Sequence, residues 1–325
     1  MGKTLTILAH GDSDGVCSAA IAKAALSSRY DEVKVFFTHP AGLLEDLTNF
    51  ASGDLIIVDV AINETHVENI RNYLRNYGGE VTYIDHHPPP LNTSVEDLGF
   101  TETYVDYVEE ASTSELTYRK YRKELSKDFD RVALYGAIAD YADVTPWVEE
   151  ALSRWDKRQI YFEAGILSQG LENSRKLYNL KRDVVNHLSK NLRPSTHEEL
   201  LKRALNQTQE NEKLLTWVEQ NVRIEGRVAY VLNPPGSIPI AAIYTLRTAN
   251  TEVGIAGEVR NDLIVMSLRT TNKKLNLNNT LRKITPTIGG SGGGHKNAAG
   301  ARIPKENLSK LIELLNEELK RTQQT

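Results

Sequence analysis

The chain has 325 residues, enough for two domains with separate cores, and its net charge of −4 argues against binding nucleic acid through bulk positive charge. Cys17 is the only cysteine, so a disulfide within the chain is excluded, which suits a reducing compartment. No apolar stretch approaches the ~20 residues of a membrane span, and no secretory segment precedes the first apolar run, so we expect a cytoplasmic protein without a membrane partner.

Short apolar runs alternate with helical patterns along the first 143 residues. The apolar runs are 5–9, 55–58, 81–84 and 133–139. The first three predict buried parallel strands, whereas the fourth fits either a strand or a core helix. Helical patterns at 16–26 and 64–76 lie between the runs. This order predicts an α/β domain with a doubly wound parallel sheet.

Acidic and histidine side chains follow every one of these apolar runs. In chain order they are His10, Asp12, Asp14, Asp59, Asp85, His86, His87 and Asp140, with Asp143 as a rival to Asp140. In open parallel sheets, ligand sites collect beyond the carboxyl ends of the strands. We therefore expect all four groups at strand ends, and we prefer Asp140 because it follows its apolar run directly.

A mixture of carboxylates and imidazoles without thiolates is typical of sites for manganese or magnesium. The alternate spacing of His10, Asp12 and Asp14 predicts that these side chains share one face of an extended segment. Asp59 is the candidate for a carboxylate that bridges two ions. Two ions roughly 3.5–4 Å apart activate water and neutralise charge on phosphorus during in-line displacement. The expected reaction is hydrolysis of a phosphate ester.

Structural roles compete with these interpretations. Asp12 or Asp14 could cap the helix that starts near Val16. Ser112 and Glu115 form a capping-box pattern at the start of another helix. From about 146 to 221 the pattern is helical and polar, and most of its basic residues are interpreted as solvated helix faces. Residues 196–222 predict a connecting helix.

A strand and a glycine-rich segment near the C-terminus predict a second phosphate-binding element. Arg269 ends the apolar run 263–268 and could hold a phosphate in a bidentate grip, or be an ordinary surface residue. Glycines at 289, 290 and 292–294 would form a loop whose backbone N–H groups approach a phosphate. His295 would add a side-chain donor beside them.

Together these motifs resemble those of the DHH phosphoesterase superfamily. The four N-terminal motifs are His10-Gly-Asp12-Ser-Asp14-Gly15, Val58-Asp59, Asp85-His86-His87 and Ala139-Asp140. The string from Gly289 to Gly300 resembles the glycine-rich signature of the DHH-associated C-terminal domain. The resemblance implies a catalytic domain at 1–190, a helical connector at 191–222 and a smaller α/β substrate-binding domain at 223–325.

The resemblance also implies a role for each matching residue. Two manganese ions, with Mg²⁺ or Co²⁺ as possible substitutes, would be held by His10, Asp12, Asp14, Asp59, His86 and Asp140. Asp85 would orient an imidazole, and His87 would face the scissile phosphate as a hydrogen-bond donor or acid. The substrate would be contacted by Arg269, Gly292, Gly293, Gly294 and His295, and by Ser112 or Thr113.

Three functions are consistent with this resemblance. The first is a manganese-dependent exonuclease that releases mononucleotides from single-stranded DNA or RNA, similar to compact archaeal RecJ-type nucleases. The second is a nanoRNase, or a phosphoesterase of dinucleotides, cyclic dinucleotides or nucleoside bisphosphates, with short oligonucleotides as substrates. The third is a RecJ-like replication scaffold. The complete ligand set places pure scaffolding last, although a replisome partner such as a GINS-type complex stays compatible.

Overall fold

The computed structural model describes residues 2–107 and 111–324. The chain forms two compact units, and the division falls between Gln207 and Thr208. None of the helices in the described ranges combines the length and hydrophobicity needed to cross a bilayer. The domain boundaries expected from the sequence stay a prediction.

The first unit contains a five-stranded parallel sheet. Its strands are β1 (Thr4–His10), β2 (Glu32–Thr38), β3 (Asp54–Val58), β4 (Val81–Asp85) and β5 (Glu102–Val105). They lie in the order β2-β1-β3-β4-β5, and each neighbouring pair is parallel. The doubly wound α/β fold is therefore confirmed, and the three predicted strands correspond to β1, β3 and β4.

Helices cover both faces of this sheet. In this part of the chain the helices are α1 (Ser13–Leu26), α2 (Leu43–Phe50), α3 (Val67–Arg75), α4 (Thr113–Tyr121), α5 (Asp130–Ala139), α6 (Pro146–Leu152), α7 (Lys157–Glu172), α8 (Tyr178–Leu188) and α9 (Glu198–Asn221), which continues past Gln207. Successive strand residues point to opposite faces. Thus Ile7 packs in a core with α1 and α5, whereas Leu8 packs in a second core with α2 and α3.

The fourth apolar run is the helix α5, not a strand. The expectation that all four acidic groups follow strands is therefore wrong for Asp140, which caps the C-terminal end of α5. The physical reason is tertiary packing, since α5 lies against α1 and α4 in the core of the first unit. A run that is apolar on every side suits a buried helix as well as a buried strand.

The second unit is built on a six-stranded mixed sheet. Its elements are β6 (Arg223–Glu225), β7 (Val228–Leu232), α10 (Ile238–Ala249), β8 (Val253–Arg260), β9 (Leu263–Thr270), α11 (Leu277–Ile284), β10 (Ser291–Gly294), β11 (Ala298–Pro304) and α12 (Leu308–Gln324). The strand order is β10-β11-β9-β8-β7-β6, and β7 pairs with β8 in parallel. This smaller α/β unit also matches the predicted fold class.

The helix α9 contributes to cores on both sides of the division. Leu200 and Ala204, in its first half, are buried in the core of the first unit. Leu214 and Val218, in its second half, are buried with residues of β7 and α10. The 24-residue helix thus lies within the range expected to connect the domains.

Gly136 permits the close packing of α5, and we predict that Gly136→Ala destabilises the first unit. A methyl group there would lie 2.3 Å from Ser114 Oγ and 2.8 Å from Asp14 Oδ1. Overpacking of this kind costs about 1–3 kcal/mol. The matched control is Gly165→Ala in α7, where a methyl group meets nothing within 4 Å. That change should stabilise the helix by about 0.5–1 kcal/mol.

Urea unfolding followed by circular dichroism measures both variants. Equal midpoints for the two variants would contradict the packing argument.

Candidate metal centre

The first motif forms a tight turn from strand to helix. Asp12 caps α1 by accepting a hydrogen bond from the Gly15 N–H at 3.1 Å, as one of the structural alternatives predicts. A side chain at position 15 would place its Cβ 2.3 Å from the His10 carbonyl oxygen, so the turn requires glycine there. The expected extended segment from His10 to Asp14 is therefore wrong, because the helix starts at Ser13.

Asp14 is buried in the first turn of α1 and faces the start of α4. Its carboxylate accepts hydrogen bonds from the backbone N–H groups of Thr113 at 2.7 Å and Ser114 at 2.9 Å. The N-terminus of a helix favours negative charge, so α4 stabilises this carboxylate. No sequence pattern links Asp14 to α4. The capping-box pattern predicts only where α4 starts.

The hydroxyl groups at the start of α4 have partners within the protein. Ser112 caps the helix by accepting from the Glu115 N–H at 3.1 Å, as the capping-box pattern predicts. Thr113 donates its hydroxyl to Asp59 Oδ1 at 3.1 Å. Both side chains are buried and hold the acidic residues in position. Contact of either with substrate stays a prediction.

Asp59 lies at the centre of the site. It follows β3 with a φ of 61°, and its N–H donates to the Ile84 carbonyl at 3.1 Å. A left-handed aspartate is uncommon and is strained by about 1–3 kcal/mol. Asp59 belongs to three trios whose ligand atoms lie within 4.8 Å of one another: one with His10 and Asp12, one with Asp14 and His86, and one with Asp85 and His87. The three trios therefore share one buried carboxylate.

The two histidines join the remaining acidic groups to Asp59. His10 Nδ1 lies 2.7 Å from Asp12 Oδ2 and 3.8 Å from Asp59 Oδ2. His86 Nε2 lies 3.5 Å from Asp59 Oδ1 and 3.7 Å from Asp140 Oδ2. The structure thus brings all six predicted ligands into one group. We call it the His–Asp cluster: His10, Asp12, Asp14, Asp59, His86 and Asp140.

Asp143, the rival to Asp140, has a different environment. Its carboxylate accepts a hydrogen bond from the Tyr161 hydroxyl at 2.6 Å. Among the described residues, the groups whose ligand atoms lie close enough to hold a metal ion include neither Asp143 nor Asp140. Asp140, in contrast, approaches His86. The geometry favours Asp140 as the member of the cluster.

Burial and mutual repulsion shift the acid–base behaviour of the cluster. Burial, and then the charges of Asp12 and Asp14, raise the pKa of Asp59 well above its ordinary value. Burial raises the pKa of Asp14, although the charge of His86 lowers it in part. Burial also raises the pKa of Asp140, to about 7, and His86 again acts in the opposite direction. Burial alone would lower the pKa of His86, but Asp59 and Asp140 raise it well above the ordinary value. The cluster is therefore stabilised by added positive charge.

Asp85 is fully buried and holds the neighbouring imidazole. Asp85 Oδ1 lies 2.9 Å from His87 Nδ1, and Asp85 Oδ2 accepts from the Tyr83 hydroxyl at 2.6 Å. Although burial alone would raise the pKa of Asp85, His87 keeps it below its ordinary value. The arrangement fixes Nδ1 of His87 against the carboxylate and thereby sets the orientation of the imidazole ring.

Lys181 is buried, whereas most basic residues between about 146 and 221 were expected to be exposed to solvent. It lies on α8, and its ammonium donates to the carbonyl oxygen of Gly11 between His10 and Asp12. The ammonium also lies 6.0 Å from the ring centroid of Phe37. Burial lowers the pKa of Lys181, while Asp12 acts in the opposite direction. A distant helix thus supports the turn of the first motif, and no sequence pattern signals it.

The glycine-rich segment of the second unit is a strand instead of the expected loop. Gly292 and Gly293 lie in β10, where they pair with Ala301 and Gly300, and the N–H of Gly294 donates to Asn278 Oδ1 at 3.1 Å. The physical reason is the pairing of this segment with β11, and a methyl group at Gly292 would lie 3.0 Å from the Gly300 carbonyl oxygen and 3.1 Å from Leu281 Cβ of α11. The glycines make room for a helix against the sheet.

Arg269 and His295 lie at the same end of this second sheet. Arg269 pairs with Ala298 in the β9–β11 ladder, and the backbone N–H of His295 donates to the carbonyl of Ala298 at 2.8 Å. The guanidinium of Arg269 donates to Ser267 Oγ at 2.7 Å. The two predicted substrate contacts are therefore close in the fold of the second unit.

Comparisons with known proteins match both units. A model of the DHH family N-terminal domain matches residues 4–143, and a model of the DHHA1 domain matches residues 226–321. No curated protein matches the sequence.

Several solved structures share the fold. RecJ from Thermus thermophilus, solved with Mn²⁺, is 18% identical to this chain, with a TM-score of 0.70. The match covers 98% of this chain and 52% of RecJ, so this chain spans about half the length of that RecJ. The pGpG-specific phosphodiesterase PggH from Vibrio cholerae is 14% identical with a TM-score of 0.58, covering 98% of this chain and 99% of PggH. CDC45 from Entamoeba histolytica is 10% identical with a TM-score of 0.55, covering 97% of this chain and 95% of CDC45.

These identities are low, so the solved structures show a common fold and no more. The two domain models match in the order that the sequence motifs predict, and the first contains the whole His–Asp cluster. The chain therefore belongs to the DHH superfamily of phosphoesterases and carries a C-terminal DHHA1 domain.

Proposed function

We propose that the protein is a manganese-dependent phosphodiesterase that removes mononucleotides from an end of single-stranded DNA or RNA. The observation that carries this proposal is the position of Asp59, whose carboxylate is shared by the trio with His10 and Asp12 and the trio with Asp14 and His86. A shared carboxylate is what a pair of closely spaced divalent ions requires. The manganese in the structurally similar RecJ supports the choice of ion.

The donor set fits hard or borderline divalent cations, because it combines four carboxylates with two imidazoles. His10, Asp12 and Asp59 would hold one ion, and Asp14, Asp59, His86 and Asp140 the other. Two bound ions supply a nucleophile at neutral pH and neutralise charge on the phosphate. Mg²⁺ and Co²⁺ are possible substitutes.

The protein's own groups position the reaction. Thr113 and the N-terminus of α4 hold Asp59 and Asp14 in fixed orientations. Asp85 holds Nδ1 of His87, and we propose that this imidazole donates a hydrogen bond to the scissile phosphate or a proton to the leaving oxygen. In the second unit, Arg269, His295 and the β10 glycines would hold the end of the substrate, which favours action at chain ends.

A second candidate is a phosphodiesterase for dinucleotides or very short oligonucleotides. The similarity to PggH, a pGpG-specific phosphodiesterase, extends over nearly the full length of both chains. The chain's net negative charge also gives little general attraction to long strands. Scaffolding is the weakest candidate despite the CDC45-like fold, because the complete acidic cluster repels itself without cations.

Digestion of end-labelled RNA and DNA with Mn²⁺ tests the proposal. Substrates range from dinucleotides to roughly 20-mers, which exceed the usual 4–16-nucleotide footprint of a single-strand site. We expect stepwise release of mononucleotides from the longer strands, with no activity in a chelator.

Cleavage confined to the shortest substrates would support the second candidate. If nothing is cleaved with any of the three ions, the scaffold interpretation gains and the exonuclease proposal fails.

Asp140→Asn should abolish hydrolysis, whereas Asp143→Asn should not. Loss of a ligand is expected to lower kcat/KM by more than about 100-fold, since even partners outside the ligand set contribute 10–100-fold. The amide that Asp143→Asn introduces can still accept from Tyr161, so that variant should stay within about threefold of wild type. Calorimetric titration with Mn²⁺ should show the same difference. An inactive Asp143→Asn with an active Asp140→Asn would reverse the assignment.

Asp85→Asn should lower kcat by about 10–100-fold through misorientation of His87, while Mn²⁺ affinity is retained. If Asp85 acts through His87, the double variant Asp85→Asn/His87→Ala should be no slower than His87→Ala alone. Steady-state kinetics on a dinucleotide measures all three variants. Additive losses in the double variant would show that the two residues act independently.

A further inference from the structure

Backbone strain singles out two positions beside the site. In the described ranges, seven residues other than glycine have a positive φ: Asp59, Asn92, Tyr141, Asn191, Asn233, Asn250 and Asn261. Asparagine accounts for five of them, and it tolerates this conformation better than most residues. Asp59 is at the centre of the His–Asp cluster, and Tyr141 directly follows Asp140. A bulky tyrosine with a φ of 60° is an outlier that requires a reason.

The fold needs the backbone conformation at position 141 but not the tyrosine ring. The N–H of Tyr141 donates to the Ile138 carbonyl at 3.2 Å, and the N–H of Ala142 donates to the Ala137 carbonyl at 2.9 Å. This is the usual closure of a helix by one left-handed residue, a position that glycine or asparagine fills with less strain. Tyrosine therefore contributes nothing to the cap that a smaller residue would not.

The ring is also not buried. Tyr141 is 75% exposed, and Val144 in the same loop is 71% exposed. Loose structure does not explain this exposure, because the loop is anchored at two points. Asp143 accepts from the Tyr161 hydroxyl at 2.6 Å, and Thr145 donates to the buried carboxylate of Glu115 at 2.8 Å.

We infer that Tyr141 is a base-stacking residue, whose ring supports the nucleobase of the nucleotide adjoining the scissile phosphate. This inference rests on the proposed function, since it places a phosphodiester at the His–Asp cluster. The Cα atoms of Asp140 and Tyr141 are one peptide unit, ~3.8 Å, apart. The exposed ring is thus carried by the residue next to a member of the His–Asp cluster, where the base of a nucleotide bound through its phosphate could reach it.

Stacking predicts a particular substrate preference. Every nucleobase has an aromatic face, so the ring should favour substrates with a base over abasic ones while tolerating any base sequence. The phenolic hydroxyl is not required for stacking, so phenylalanine should replace tyrosine. A phosphate ester without a base at this position should gain nothing from the ring.

The test compares two variants on two kinds of substrate in the presence of Mn²⁺. Tyr141→Asn removes the ring but keeps a residue that this chain uses at five other left-handed positions. Tyr141→Phe keeps the ring. The substrates are a dinucleotide with both bases and the two analogues in which one or the other base is replaced by a tetrahydrofuran abasic unit, and kcat/KM is measured for each.

For wild type and Tyr141→Phe, we expect one of the abasic analogues to react at least about tenfold more slowly than the complete dinucleotide. In Tyr141→Asn the kcat/KM values for the complete dinucleotide and for that analogue should differ by a ratio close to one, because only the complete dinucleotide should react more slowly than with wild type. The thermal midpoint of Tyr141→Asn should equal or exceed that of wild type, because strain is relieved. A preserved ratio in Tyr141→Asn would overturn the inference while leaving the proposed function intact. If wild type hydrolyses none of the dinucleotides, the inference fails, and the proposed function fails with it only if the longer strands are not cleaved either.

Discussion

Repulsion between buried carboxylates is the constraint on which the site depends. Asp14 and Asp59 are almost fully buried, and Asp140 and Asp12 lie next to them. Such a group is unfavourable unless positive charge or directed hydrogen bonds balance it. The fold supplies part of the balance through two histidines, the N-terminus of α4 and the hydroxyl of Thr113. The chemistry of the donor set indicates that divalent cations supply the rest.

This balance explains why the site is assembled from distant parts of the first unit. The sheet delivers three of the motifs at the carboxyl ends of β1, β3 and β4, which are adjacent strands. Helix α5 delivers Asp140, and its close approach to α1 and α4 requires Gly136. Gly136 and the positions of the helix ends therefore set the distances between the charged groups. A change in the packing of these helices would also change the electrostatic repulsion in the cluster.

The strands β1, β3 and β4 and the cluster could be predicted from the sequence, because each of these three strands is short, apolar and followed at once by a candidate ligand. The strands β2 and β5 lie outside the predicted apolar runs. The helical state of 133–139 could not be predicted, since periodicity does not distinguish a buried helix from a buried strand. The extended conformation expected for His10 to Asp14 failed because the cap at Asp12 starts a helix immediately. The glycines of β10 suggested a phosphate loop, yet their positions reflect the pairing with β11 and the approach of α11. Contacts between residues far apart in sequence, such as Asp14 with the backbone of α4, leave no local pattern.

The buried ammonium of Lys181 has a consequence for how the protein can be divided. The DHH family model ends at residue 143, but Lys181 holds the Gly11 carbonyl, and Lys23 of α1 donates to Asn186 at 2.6 Å. Val184, Val185 and Leu188 of α8 are buried in the same core as α1. A fragment that stops where the recognised motifs stop would expose this core and release the turn between His10 and Asp12. Because Leu200 and Ala204 of α9 are buried in the same core, a piece that keeps this core covered extends through α8 into the first half of α9, well beyond Asp140.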